Sequence, residues 1–242
     1  MEITQQEAWT VRDSGVTVVI PSFMRELVEE VAIQARKSEY VDQNSGVSAR
    51  LPIALIENLV SNAERRGLRT GEARVLTRVC DLSNAVSGVS GKVELVLEGE
   101  QEGALNVARA LLGRGLKSLF SQRLPDAYKP RKGRASQPAG EAEPLASSEY
   151  RPILEWFASG HHVEIADDMP QAEYARQLQS VKGLAQIAHK YLEPNDGEEA
   201  AVAMELVLEG LHQNSILSRE RTDGSITAYK DMLKSMLSGF GD

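Results

Sequence analysis

The stretch that decides the fold is Ser45-Gly46-Val47-Ser48-Ala49-Arg50-Leu51-Pro52, together with the apolar-periodic run that follows it. Pro52 suits the first turn of an α-helix, where its missing N–H costs nothing. Apolar side chains at helical spacing come next: Leu55, Ile56, Leu59, Val60 and Ala63. This pattern predicts a helix over about 51–66, with Arg50 at its N-terminus.

Arg50 has the chemistry of an anion-binding side chain. A guanidinium is always charged and presents a fork of donors that fits phosphate oxygens. A helix N-terminus adds free N–H groups and the positive end of the helix dipole on the same side. Arginines near helix starts are also commonly solvated without any ligand, so the spacing by itself leaves both interpretations open.

The composition indicates a globular protein with an aliphatic core. Of the 242 residues, 42% are hydrophobic, 26% are charged and only 5% are aromatic, a balance typical of folded domains. Strong helix formers such as Ala, Leu, Glu and Arg dominate the sequence. We therefore predict an all-α fold with at most short strands near 16–20 and 92–98.

The net charge is −8, which argues against nucleic acid as a partner because that function requires a basic face. The acidic excess lies in residues 150–242, which carry 15 acidic and 8 basic side chains. A solubilising surface and a docking site for a basic partner both explain it.

Cys80 is the only cysteine, which excludes an internal disulfide and fits a reducing compartment. The sequence has no apolar run of about 18 residues that could cross a membrane. It also lacks a basic N-terminal region followed by an apolar one. We therefore expect a cytoplasmic chain with no membrane partner.

The pattern of helices predicts three parts: a helical domain over 1–124, a flexible linker over 125–149 and an acidic helical domain over 150–242. In the first part, further helices are predicted over about 23–38, capped by Ser22, over 78–88, capped by Thr77, and over 100–123. The linker contains four prolines and almost no bulky apolar side chain, so it cannot offset its ordering entropy. The third part is predicted to end in an amphipathic helix that begins at Ser225.

Motifs for independent catalysis are missing. The string closest to a phosphate-binding loop, Gly88-Val-Ser-Gly91-Lys92-Val93, is two residues short between its glycines and has valine where a metal-binding hydroxyl is needed. His161 and His162 are adjacent, whereas zinc sites usually space their histidines three to five residues apart. We therefore predict no catalytic residue and no metal site in this chain.

Four segments carry a resemblance to a known family. Residues 41–51, VDQNSGVSARL, and residues 56–66, IENLVSNAERR, resemble the lid of AAA+ ATPases of the MoxR and magnesium-chelatase clade. Tyr150-Arg-Pro-Ile-Leu-Glu-Trp-Phe157 and Met204-Glu-Leu-Val-Leu-Glu-Gly-Leu-His212 resemble the C-terminal extension of bacterial magnesium-chelatase-like proteins. The resemblance covers nearly the whole chain apart from the linker.

The resemblance implies a helical-bundle AAA+ lid followed by a second helical domain. It also implies that Arg50 is the sensor-2 arginine, which reaches the γ-phosphate of ATP bound in the neighbouring core. The family's phosphate loop, metal-binding acids, sensor-1 residue and arginine finger would all precede Met1. ATP and Mg would then be bound only through that missing upstream core, and this chain would be inactive alone.

The partners implied by the resemblance are the AAA+ core domain, neighbouring subunits of a ring, and a protein client on the C-terminal domain. The alternative function is an independent helical adaptor that binds a protein partner and uses no nucleotide. The sequence does not say which client such a motor would act on.

Overall fold

The computed structural model describes residues 8–42, 47, 48, 50–128, 148–222 and 224–232, apart from the side chains of residues 87 and 90. Over this part of the chain the fold is mostly helical, with two small sheets. The elements in chain order are β1 (Thr17–Val19), α1 (Ser22–Arg36), α2 (Arg50–Thr70), β2 (Arg74–Leu76), α3 (Val79–Asn84), α4 (Val86–Ser90), α5 (Leu97–Glu102), α6 (Ala104–Arg123), a 3-10 turn (Ser148–Tyr150), α7 (Arg151–Ala158), β3 (Val163–Ala166), α8 (Gln171–Gln179), α9 (Leu184–Leu192), α10 (Gly197–Gln213), β4 (Leu217–Thr222) and β5 (Ile226–Asp231).

The two long helices that open the fold are confirmed. α1 and α2 bury the apolar side chains that recur at helical spacing in the sequence. α2 runs past its predicted end at residue 66 and stops at Thr70, with Gly67 inside the helix against the side chain of Val16. Ser22 is the first residue of α1 and makes no side-chain cap, so the predicted capping role of Ser22 is wrong.

The predicted helices over 78–88 and 100–123 are each split in two. Arg78, rather than Thr77, is the N-cap of α3, because Asp81 accepts a hydrogen bond from the backbone N–H of Arg78 at 2.8 Å. Gly103 separates α5 from α6 and has a φ of 91°, a left-handed value that ends a helix. The prediction that both segments are helical is therefore confirmed, and the prediction that each is one continuous helix is wrong.

α6 packs closely on both α1 and α10. A Cβ atom added at Gly115 of α6 would lie 3.0 Å from the backbone N and Cα of Val31 in α1. A Cβ added at Gly210 of α10 would overlap the ring of Phe120 in α6. Glycine at these two positions allows the helices to approach each other, and α6 thereby joins the N-terminal and C-terminal halves.

The first sheet is a parallel pair, β1 and β2, in which Val18 lies opposite Val75. β1 confirms the strand predicted near 16–20. Near 92–98, where at most a short strand is predicted, Leu95 forms an isolated antiparallel bridge with Val41, and α5 begins at Leu97.

The second sheet corrects the prediction of an all-α fold. It is antiparallel with the order β3-β5-β4. The helix predicted to begin at Ser225 is instead strand β5 through Asp231, and the rest of that prediction, residues 233–242, lies outside the described residues. Because β5 is the central strand, buried side chains follow one another from Thr227 to Tyr229 without alternation, and that pattern is compatible with a helix.

Buried apolar side chains form one contiguous core that includes residues from both predicted domains. Phe120 and Tyr150, for example, lie with ring centroids 5.9 Å apart. Within the predicted linker, the Tyr128 hydroxyl donates to the carbonyl of Asn214 at 2.8 Å, while residues 129–147 lie outside the described part. The division into two domains joined by a flexible linker stays a prediction.

None of the helices described here is both long and apolar enough to cross a membrane.

Candidate functional site

Arg50 is the first residue of the 21-residue helix α2. Its backbone N–H donates to the Ser48 hydroxyl at 3.1 Å, and the N–H of Leu51 donates to the Ser48 carbonyl at 2.9 Å. Leu51 and Leu55 are fully buried and fix the first turns of the helix in the core. The local sequence thus places Arg50 firmly at the mouth of α2.

The guanidinium of Arg50 is exposed, and no residue of the described part of the chain forms a hydrogen bond or ion pair with it. The first turn of α2 contains no acidic residue that would neutralise the site. The positive end of the helix dipole lies on the same side. Within the described part of the chain the Arg50 guanidinium is therefore unpaired, and its fork of donors has the geometry that suits a phosphate group.

The string Gly88-Val-Ser-Gly91 is helical rather than a loop. Residues 86–90 form α4, and Gly91 is its C-cap. A Cβ added at Gly88 would approach the side-chain amide of Asn58 in α2, so this glycine allows helix packing rather than the approach of a ligand. Residues 86–91 are therefore not a phosphate-binding loop.

The two adjacent histidines contact different residues. His161 stacks on Trp156 with ring centroids 4.7 Å apart, and its Nδ1 lies 3.0 Å from the Trp156 carbonyl oxygen. His162 approaches Glu164 at 3.7 Å. Among the residues described, no group of three His, Cys, Asp or Glu side chains could hold a metal ion.

A buried carboxylate connects α10 with α3 and α8. Glu205 of α10 accepts hydrogen bonds from the backbone N–H groups of Val79 at 3.0 Å and Cys80 at 3.2 Å, the first two residues of α3. The Tyr174 hydroxyl of α8 donates to the same carboxylate at 2.6 Å. Burial raises the pKa of Glu205 to about 7, and the hydrogen bonds from Tyr174 and Val79 oppose that rise.

A buried ion pair lies beside this carboxylate. Arg66 donates to both oxygens of Asp81 at 2.7 and 3.1 Å, and each side chain is 2% exposed. Arg78 donates to the Met169 carbonyl at 2.7 Å, and its guanidinium lies 3.9 Å from the centre of the Tyr174 ring. Arg66 and Asp81 are engaged with each other, and Arg78 is engaged with the Met169 carbonyl and the Tyr174 ring. We therefore assign these charges a structural role in joining α2, α3 and α8.

The other end of α2 borders a polar cleft of about 390 Å³. Its walls come from residues 62–69 of α2, from α3, from Asp167 and Asp168 after β3, and from the turn between β4 and β5. From the sequence alone, the basic residues at this end of α2, Arg65, Arg66 and Arg69, are explained by their favourable interaction with the negative end of the helix dipole. The fold brings the two aspartates across from them.

Comparison of the chain with protein-family models, with curated proteins and with solved structures gives no significant match.

Proposed function

We propose that this chain is the lid and the C-terminal regulatory portion of a ring-forming AAA+ ATPase of the MoxR and magnesium-chelatase type. In this proposal Arg50 is the sensor-2 residue that contacts ATP bound in a core outside the described residues. The observation that supports it is the exposed guanidinium of Arg50, which pairs with no described residue, at the N-terminus of a long, anchored helix.

The residues of this chain would have a limited and specific part in ATP hydrolysis. Arg50 would donate charge-assisted hydrogen bonds to the γ-phosphate, and the buried face of α2 would transmit a change at that contact to the rest of the helical body. Binding of the other phosphates and of Mg, and activation of the attacking water, belong to the core. The acidic surface of residues 150–242 would be available to neighbouring subunits or to a protein client.

The decisive test is the ATP turnover of the assembled ATPase that carries this chain. Removing one charge-assisted contact costs about 1.5–3 kcal/mol, so Arg50→Ala is expected to lower kcat about tenfold or more. Arg36→Ala is the matched control, because Arg36 is also an exposed arginine at a helix end with no partner among the described residues. Thermal unfolding followed by circular dichroism should be unchanged in both variants, since neither side chain is packed.

One observation favours the alternative function of a nucleotide-independent adaptor. Trp9, Val11 and Leu68 are 66%, 83% and 61% exposed, respectively. Large apolar side chains at this level of exposure are common at protein interfaces. If Arg50→Ala leaves ATP turnover unchanged while Trp9→Ala weakens binding to a protein partner, the adaptor replaces the ATPase lid.

A further inference from the structure

The polar cleft beside the C-terminal part of α2 contains buried polar atoms that no other group satisfies. Arg66 and Asp167 line this cleft. Arg66 Nε and Asp167 Oδ1 are both buried, and neither has a hydrogen-bond partner within the described residues. Buried polar atoms are nearly always paired with protein, water or ligand. Both residues line the cleft, so a donor and an acceptor there are left for a water molecule or a polar ligand to satisfy.

The rim of the cleft has an excess of free positive charge. Arg65 and Arg69 lie one helical turn apart on α2, and both are exposed. Neither forms an ion pair or hydrogen bond with any residue that the structure describes. Two like charges at this spacing repel each other, and an anion held between them would relieve that repulsion.

The opposite wall provides acceptors. Asp167 Oδ2 is already engaged by Asn84 and Arg221, each at 2.8 Å, whereas its Oδ1 is open. Asp168 is exposed and has no partner among the described residues. After the pairs Arg66–Asp81 and Arg221–Asp167 are set aside, two arginines and one aspartate of the described lining remain unpaired, an excess of one positive charge among these residues.

We propose that the cleft binds a small phosphate ester that carries hydroxyl groups, as a sugar phosphate or a mononucleotide does. Arg65 and Arg69 hold the phosphate, and the carboxylates of Asp167 and Asp168 accept hydrogen bonds from the hydroxyl groups. A volume of about 390 Å³ lies within the range of small-molecule sites.

This site is distinct from the one at Arg50. Sixteen residues of helix separate Arg50 from Arg66, which at about 1.5 Å per residue corresponds to about 24 Å. One phosphate group cannot contact both positions. The proposal therefore does not depend on whether the chain is an ATPase lid.

Calorimetric titration of the full chain at low ionic strength tests the proposal, with ribose 5-phosphate, inorganic phosphate and ribose as probes. We expect ribose 5-phosphate to bind more tightly than inorganic phosphate, and ribose alone to bind not at all. The double variant Arg65→Gln, Arg69→Gln should lose about tenfold or more in affinity for both phosphate probes. Asp168→Asn should weaken the binding of ribose 5-phosphate and not that of inorganic phosphate.

Arg176→Gln serves as the control, because Arg176 is an exposed arginine of α8 that does not line the cleft. It should leave both affinities unchanged. The proposal is overturned if neither phosphate probe binds at millimolar concentration, or if the double variant binds as tightly as the natural chain. Equal affinity for the two phosphate probes would overturn the hydroxyl contacts assigned to the aspartates.

Discussion

Glu205→Gln removes one buried charge and preserves the shape of the side chain. Glu205 is 1% exposed, and burial raises the pKa of its carboxyl group to about 7 from the usual 4.5. Two backbone N–H groups and the hydroxyl of Tyr174 donate to it. The substitution therefore measures whether desolvation or hydrogen bonding dominates at this carboxyl group.

The sign of the effect follows from the direction of the pKa change. Because the folded-state pKa of Glu205 lies above the unfolded value, the folded protein retains a proton that the unfolded chain loses between pH 4.5 and pH 7. The stabilisation is fully present below pH 4.5 and is lost as the pH rises through 7. At about 1.4 kcal/mol per pKa unit, the free energy of unfolding falls by about 3 kcal/mol over this range.

The glutamine variant does not titrate at this position, so its free energy of unfolding lacks this term. It does leave one backbone N–H without an acceptor, which costs about 1–3 kcal/mol at every pH. The difference in unfolding free energy between the natural chain and Glu205→Gln should therefore move by about 2–3 kcal/mol between pH 5 and pH 8. The glutamine variant gains relative to the natural chain as the pH rises.

Urea denaturation followed by circular dichroism at pH 5 and pH 8 gives this difference. Glu173→Gln is the control, since Glu173 is an exposed glutamate of α8 without a partner among the described residues, and its difference should stay constant within a few tenths of a kcal/mol. If Glu205→Gln instead loses stability relative to the natural chain as the pH rises, the donated hydrogen bonds dominate and the pKa of Glu205 is not raised.

Three further predictions concern packing, charge and chain cleavage. Gly115→Ala should lower the free energy of unfolding by about 1–3 kcal/mol or more, since its Cβ would press on the backbone of α1. Gly113→Ala is the control, because its Cβ would meet only the end of a glutamine side chain; it should be neutral or stabilising by up to about 1 kcal/mol. If the two variants change the free energy of unfolding equally in urea denaturation, the close approach of α6 to α1 at Gly115 is contradicted. Asp81→Asn should destabilise by about 3–5 kcal/mol, because it removes the buried partner of Arg66, and a change below about 1 kcal/mol would refute that role. Limited proteolysis should cut first within 125–149, where the sequence has four prolines and almost no bulky apolar side chain. The fragments should co-elute in size-exclusion chromatography because the core is contiguous; separate elution would mean two independent domains.

The long helices and the position of Arg50 could be predicted because their determinants are local. α1 and α2 each repeat apolar side chains at helical spacing over several turns. A repeat sustained over that many residues is not compatible with a strand. Pro52 lies in the first turn of α2, as expected from its conformational preference. The assignment of Arg50 as a sensor of ATP depends on resemblance and stays a prediction.

The C-terminal sheet was missed for a physical reason, although one signal was present. The sequence has an Asp-Gly pair at 223–224, and Gly224, which lies between β4 and β5, has a φ of 69°. Such a pair between two short runs predicts a hairpin. However, Ile226, Tyr229 and Met232 also recur at helical spacing, and that pattern predicts a helix instead.

The polar cleft could not be predicted, since its walls are far apart in the sequence. Arg65 and Arg69 lie about a hundred residues before Asp167 and Asp168, and nothing in either segment indicates the other. Only the packing of α2 and α3 against the β3–α8 connection and the β4–β5 turn brings them together. The same holds for the contact of Glu205 with the start of α3.

The order of strands in the C-terminal sheet has a consequence for synthesis of the protein. β5 is made after β3 and β4 and occupies the centre, with β3 and β4 paired on either side of it. During translation β3 therefore emerges from the ribosome well before β5, the strand with which it pairs. Its backbone groups stay unpaired until residue 231 has emerged. Molecular chaperones that recognise unpaired strands would find their substrate here in the nascent chain, during that interval of translation.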